Sequence, residues 1–198
     1  MKPNPWERNL AEGQRAHEIA MDKLKSWSLR MRIEDYSRNM EKQRAGMDAA
    51  IVWDKTTFDT KARSYNTRED MCSGGDIPIE ILSIIETGKA GWYFTSKADF
   101  ISYVWWNPKK TDLYEGYLIA LQDTKFRNFF ENNIDKLRLK RAESVAEGAR
   151  IWHTLNSVMP ISIFPKATIF KFIEPPGKGW GFHGKIRLNH FIERAVKS

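Results

Sequence analysis

A single cysteine, Cys72, removes two classes of chemistry at once: no intramolecular disulfide can form, and no multi-cysteine zinc site can be built. Cys72 stands in a polar stretch without a histidine or asparagine signature, so it reads as a loop thiol rather than a nucleophile. Histidine is scarce as well. His17, His153, His183 and His190 are dispersed without metal-ligand spacing, which disfavours zinc chemistry and histidine-based hydrolysis. No apolar run approaches the ~18 residues of a membrane span. The opening Met1-Lys2-Pro3-Asn4-Pro5-Trp6 lacks the apolar segment of a secretory leader. The Gly-rich Gly177-Lys178-Gly179-Trp180-Gly181 lacks the GxxxxGK[ST] pattern, so nucleoside triphosphate hydrolysis is excluded. Internal repeats and low-complexity segments are missing too. These absences predict a soluble, cytoplasmic protein with no small-molecule cofactor and no membrane partner.

What is present is basic and aromatic. Among 198 residues, 32 Lys+Arg face 25 Asp+Glu, a formal charge of +7, which suits a polyanionic partner. The hydrophobic fraction of 41% and charged fraction of 29% are those of a globular chain, and the length predicts one domain over 1–198. Eight Trp supply large rings for a core; Trp92, Tyr93, Trp105 and Trp106 read as core, with at most one ring of Trp105-Trp106 exposed.

Helical spacing of Leu10, Ile19, Met21, Leu24, Trp27, Leu29, Met31 and Ile33 predicts helix over 7–45, ended by Gly46. Ala49 to Trp53 and Thr56 to Ala62 then read as strands joined by the two-residue link Asp54-Lys55. A polar loop over 64–75 follows. Asp76 to Ile85 is the strongest strand signal, and Pro78 within it predicts an edge position or a bulge. Further strands are expected at 100–106 and 116–121, a helix at 122–138 and a strand at 168–173. The charged stretch Lys136-Leu137-Arg138-Leu139-Lys140-Arg141 is expected on a helix. A Gly/Pro loop over 175–184 leads to a last helix over 186–196. The layout is α/β: an N-terminal helical part (1–45), a central mixed sheet (46–121) and a helical and strand part (122–198), with helices flanking the sheet.

Three residues carry the chemistry. Asp48 opens the first strand, and Asp59 and Lys61 share one face of the second, because alternate strand residues point the same way. A hairpin would bring the Asp48 carboxylate beside Asp59. Two carboxylates suit Mg²⁺, a hard cation that keeps several waters, and a nearby lysine can offset charge at a phosphoryl group. The same spacing also describes an edge strand with alternating charges and a turn aspartate. Asp54, five residues before Asp59, is a rival for the first acid.

The blocks Gln43-Arg44-Ala45-Gly46-Met47-Asp48, Phe58-Asp59-Thr60-Lys61-Ala62-Arg63, Asp76-Ile77-Pro78-Ile79-Glu80-Ile81, Gly88-Lys89-Ala90-Gly91-Trp92 and Ala98-Asp99-Phe100-Ile101-Ser102-Tyr103 resemble the PD-(D/E)XK nuclease superfamily, in particular its small phage and bacterial members. The resemblance spans about residues 34–106 and rests on the order of the blocks. It implies a restriction-endonuclease-like fold and Mg²⁺-dependent hydrolysis of DNA, with Mn²⁺ able to substitute. Asp48, Asp59 and Lys61 would be catalytic, and Asp48, Asp59 and an upstream helix acid, Glu34 or Asp35, would hold the metal. Gln43, Arg63 and Glu80 would support the site. Met47 stands where the superfamily's proline would be. Many members dimerise to cut both strands; nothing in this sequence reads as a dimer seam, and a homodimer stays open.

For Asp76 the favoured reading is pairing with a nearby basic side chain, while Glu80 stays open between that and a bond to Lys61 or Arg63. Lys109, Lys110, Arg138, Lys140, Arg141 and Lys178 are the candidate phosphate contacts. A binding protein that keeps the fold without catalysis is the alternative function.

Overall fold

The computed structural model describes residues 5–27, 33–36, 38–51, 56–64, 76–145, 151–173 and 191–192. Helix α1, Pro5–Trp27, opens on a proline, whose missing N–H is one that a first turn leaves unbonded anyway. Its buried stripe is Ala16, Ala20, Met21 and Leu24, spaced by turns of the helix, and His17 is buried beside them.

Helix does not run on to residue 45. Ile33–Asp35 forms strand β1, and a separate short helix α2, Met40–Arg44, follows it. Pairing decides this: β1 lies antiparallel to β2, Ala49–Ile51, and Asn39 caps α2 by accepting from Lys42 N at 3.1 Å. Glu34, expected on a helix, is therefore a strand residue.

Six strands make the main sheet: β1, β2, β3 (Thr57–Arg63), β6 (Phe100–Trp106), β7 (Leu113–Ala120) and β10 (Ile169–Ile173), side by side in that order. All neighbours are antiparallel except β3 and β6, which run parallel with Asp59 beside Ile101 and Lys61 beside Tyr103. The sheet is mixed, as the sequence predicts. The link expected at Asp54-Lys55 lies outside the described residues, as do the loop carrying Cys72, Gly177–Gly181 with Lys178, and most of the last expected helix. Phe191 and Ile192 of that helix are described, helical and buried.

A second, antiparallel sheet has the order β5 (Lys89–Ala90), β4 (Asp76–Ile84), β9 (Ile151–Pro160), β8 (Arg138–Val145). Arg138 to Arg141 therefore lies on a strand, not a helix. The helix before it, α4, is confined to Thr124–Glu131, capped by Asp123 accepting from Lys125 N and Phe126 N. Pairing of all eight β8 residues with β9 overrides the local helical pattern. Pro78 behaves as expected: β4 pairs with β5 only at Leu82 and Ile84, and its ladder to β9 shifts register between Glu80 and Leu82.

Two cores sandwich the main sheet. Phe58, Phe100, Val104, Trp106, Leu118 and Phe172 pack with α1, Phe191 and Ile192 on one face. Ile101, Tyr103, Trp105, Tyr117 and Ile119 face the second sheet, the short helix α3 (Trp92–Thr95) and α4. Alternation along β3 follows: Phe58 and Ala62 face α1, and Asp59, Lys61 and Arg63 face the second sheet.

Candidate active site

Asp48 stands immediately before β2, where Gly46 reverses the chain at a φ of +68°. Its backbone N–H donates to Phe58 O at 2.6 Å. Its carboxylate takes the next rung of the ladder in place of a carbonyl: Oδ2 accepts from Thr60 N at 2.7 Å, and Oδ1 from Gln43 Nε2 at 2.8 Å. Gln43 thus orients Asp48 from α2.

Asp59 is 2% exposed. Oδ1 accepts from Lys61 Nζ at 2.7 Å, the two side chains sharing the face that period-2 spacing assigned them. Oδ2 is buried and makes no hydrogen bond of regular geometry; the Ser96 hydroxyl, which donates to Gly46 O at 3.2 Å, stands beside it. It lies against Gly46 and Ser96: a Cβ on Gly46 would sit 3.2 Å from it and 3.0 Å from Ser96 Oγ. Burial raises the Asp59 carboxyl above the ordinary carboxylate range; Lys61 pulls it down, the Asp48 charge pushes it up, and Ser96 lowers it. Asp99 fixes the start of the strand, its Oδ2 accepting from Thr57 N at 2.7 Å and Thr57 Oγ1 at 2.8 Å.

The structure brings Asp48, Asp59, Lys61 and Gln43 together. Glu34 lies opposite Ala50 on β1, and its carboxylate accepts from the Tyr36 hydroxyl at 3.3 Å; Asp35 turns to the other face, toward His17. Among the described residues no three His, Cys, Asp or Glu side chains gather as a metal cluster. Two carboxylates with spare lone pairs, one oxygen of them without a regular hydrogen bond, nevertheless fit Mg²⁺, which takes one or two protein carboxylates and completes its shell with water and phosphate oxygens.

Beside this pair opens a polar cleft of about 730 Å³ between the N-terminal half of α1, the end of β3, the β6–β7 turn and strands β8 and β9. Lys61, Arg63, Lys110, Lys140 and Arg141 line it together with Glu12, Glu80 and Glu143. Lys61 connects buried Asp59 to this space, its side chain 24% exposed. Arg63 lies over the Tyr103 ring. Glu80 is bound elsewhere: Oε1 accepts from Trp92 N at 3.4 Å, steadying α3.

Lys109 is exposed in the β6–β7 turn. Lys110 pairs with Glu12 at 2.7 Å, Arg141 with Glu86 at 3.9 Å and Arg138 with Asp76 at 3.8 Å, the last bearing out the pairing expected of Asp76. The Lys110–Glu12 and Arg141–Glu86 pairs are partly solvated and contribute little to stability.

Sequence reading missed Ser96, Thr60 and His17. Ser96 and Thr60 carry no pattern of their own. His17 had a signal, a polar residue on the apolar stripe of α1. No protein-family model and no curated protein matches the sequence.

Proposed function

We propose that this chain is a Mg²⁺-dependent nuclease that hydrolyses phosphodiester bonds in DNA, with a restriction-endonuclease-like core. The observation that carries the reading is the convergence of Asp48, a deeply buried Asp59 and Lys61, the last of which lines a cleft with an excess of basic residues. The main sheet adds support at a coarser level: it is mixed, β3 running parallel to β6 and its other neighbours antiparallel, as a core of that type requires.

Asp48 and Asp59 would hold the metal, which supplies polarisation of a phosphoryl oxygen and a bound water of lowered pKa. The chain's own residues do the remainder. Gln43 and the Thr60 N–H keep Asp48 aimed. Lys61 sits where its ammonium can leave Asp59 for a phosphate oxygen in the cleft, offsetting charge as it develops there. Arg63, Lys140 and Arg141 neutralise the flanking backbone.

A second reading has one observation in its favour. Both Asp48 oxygens are hydrogen-bonded and Asp59 is neutralised by Lys61, a closed arrangement that a non-catalytic DNA-binding protein could keep for stability. One experiment separates them. Supercoiled plasmid and labelled linear duplex are incubated with Mg²⁺, Mn²⁺ or EDTA, using wild type, Asp59→Asn and Lys61→Ala. Metal-dependent cutting lost in both variants is the expected result. A salt-sensitive mobility shift without cutting, or cutting that survives both substitutions, overturns it.

A further inference from the structure

We propose that His17 is a positioning residue for the site described above, acting through Thr60 from the opposite face of the sheet; the inference rests on the nuclease reading. His17 Nδ1 lies 3.0 Å from Thr60 Oγ1, and Nε2 lies 3.5 Å from Asp35 Oδ1. Nε2 faces that carboxylate without a hydrogen bond, and in the tautomer that carries its proton there, Nδ1 accepts from the Thr60 hydroxyl.

Thr60 is the residue between Asp59 and Lys61, and its backbone N–H is the donor to Asp48 Oδ2 at 2.7 Å. A line of hydrogen bonds therefore runs His17, Thr60, Asp48, Gln43, tying α1 and β3 to α2, with Asp35 of β1 3.5 Å beyond the ring. Any tilt of the Thr60 peptide moves the bond that aims Asp48 and carries the neighbouring Asp59 and Lys61 with it.

The placement is unlike its surroundings. The flanking β3 residues on that face, Phe58 and Ala62, pack on the apolar core. An apolar pair at His17 and Thr60 would fill this space without desolvating an imidazole and a hydroxyl. What the polar pair adds is direction, which fixes the rotation of Thr60 about the strand axis. Catalysis is sensitive to that, since a misplacement of about 1 Å can cost on the order of 100-fold in rate.

Asparagine and glutamine separate the two ring nitrogens. His17→Asn puts an amide oxygen near the place of Nδ1 and keeps the Thr60 hydrogen bond. His17→Gln puts its amide near Nε2 and keeps the Asp35 interaction alone. The test measures kcat and KM of Mg²⁺-dependent cleavage on a labelled duplex for wild type, His17→Ala, His17→Asn, His17→Gln and Thr60→Val. Melting temperature and Thr60 amide hydrogen exchange are followed alongside.

Ala, Gln and Thr60→Val are expected to lower kcat about 10-fold with KM held within about 2-fold, and to speed Thr60 exchange; Asn recovers most of the turnover. Turnover unchanged per folded molecule while melting temperature falls equally in all three His17 variants overturns the proposal and leaves the nuclease reading standing. So does an Asn variant no better than Gln. Should His17→Ala fail to fold, Thr60→Val carries the same comparison. A wild type that never cleaves removes both the reading and the proposal, and is told apart by the absence of turnover before any substitution is made.

Discussion

A carboxylate as buried as Asp59 is held above its ordinary pKa because leaving water disfavours the charged form more than the Lys61 ammonium offsets. With the folded pKa above the unfolded one, the fold binds more protons than the open chain between the two values. Stability therefore falls as pH rises through that interval and stays lower above it. Asp59→Asn, which cannot ionise, should raise the melting temperature at neutral pH while abolishing cleavage. That gain should vanish below the ordinary carboxylate range, and thermal unfolding at both pH values checks it. Gln43→Ala should release Asp48 Oδ1, lowering cleavage about 10-fold at a stability cost of about 1 kcal/mol. At this scale Asp48, Asp59 and Lys61 were legible because strand alternation and a short hairpin are local rules. The line through His17 was not. His17 and Thr60 are 43 residues apart in sequence and meet only because α1 packs across β3.

Elements were legible where one signal dominated and misread where pairing outvoted it. β4, β6, β7 and β10 follow their apolar and β-branched runs, and Pro78 announced the open side of β4. The single long N-terminal helix failed at Ile33–Asp35, where pairing with β2 is available, and the basic stretch after α4 became β8 because β9 lies alongside. Glycine marks two tight joints. At Gly91 a Cβ would lie 2.3 Å from the Glu80 carbonyl oxygen, so backbone must move to accept it. Gly91→Ala should cost about 2–3 kcal/mol, measured by denaturant unfolding. At Gly46 the positive φ and the closeness of Ser96 and Asp59 make Gly46→Ala strained and displace the site itself. Unchanged stability in the Gly91 variant would mean that α3 and β4 are not held together there.

Across the whole molecule, the second sheet forms a wall of the cleft opposite α1, so residues as far apart in sequence as Asn9 and Asn156 line it together with Lys61. Lys140 and Arg141 stand on that wall, with Lys61 and Arg63 on the main sheet. If duplex DNA is the ligand, replacing Lys140 and Arg141 together by alanine should weaken binding similarly for all sequences. The slope of log affinity against log salt should fall by about 2, near 0.9 for each phosphate no longer neutralised. Fluorescence anisotropy over a salt series reads this directly. An unchanged slope would move the phosphate track away from β8. Of this arrangement the sequence disclosed the charge and not its geography, because the cleft is built by strands that meet across the chain.

Strand β8 has β9 as its one partner among the described residues, leaving eight residues of backbone with an outward row of donors and acceptors, and Leu139 exposed between two basic side chains. Such a row can template another copy of the same strand, and mutual repulsion of Lys140 and Arg141 between copies opposes that. A polyanion that neutralised these charges would also take away the protection against self-stacking. Near charge equivalence with nucleic acid, solutions of this protein should turn cloudy and clear again when either component is in excess.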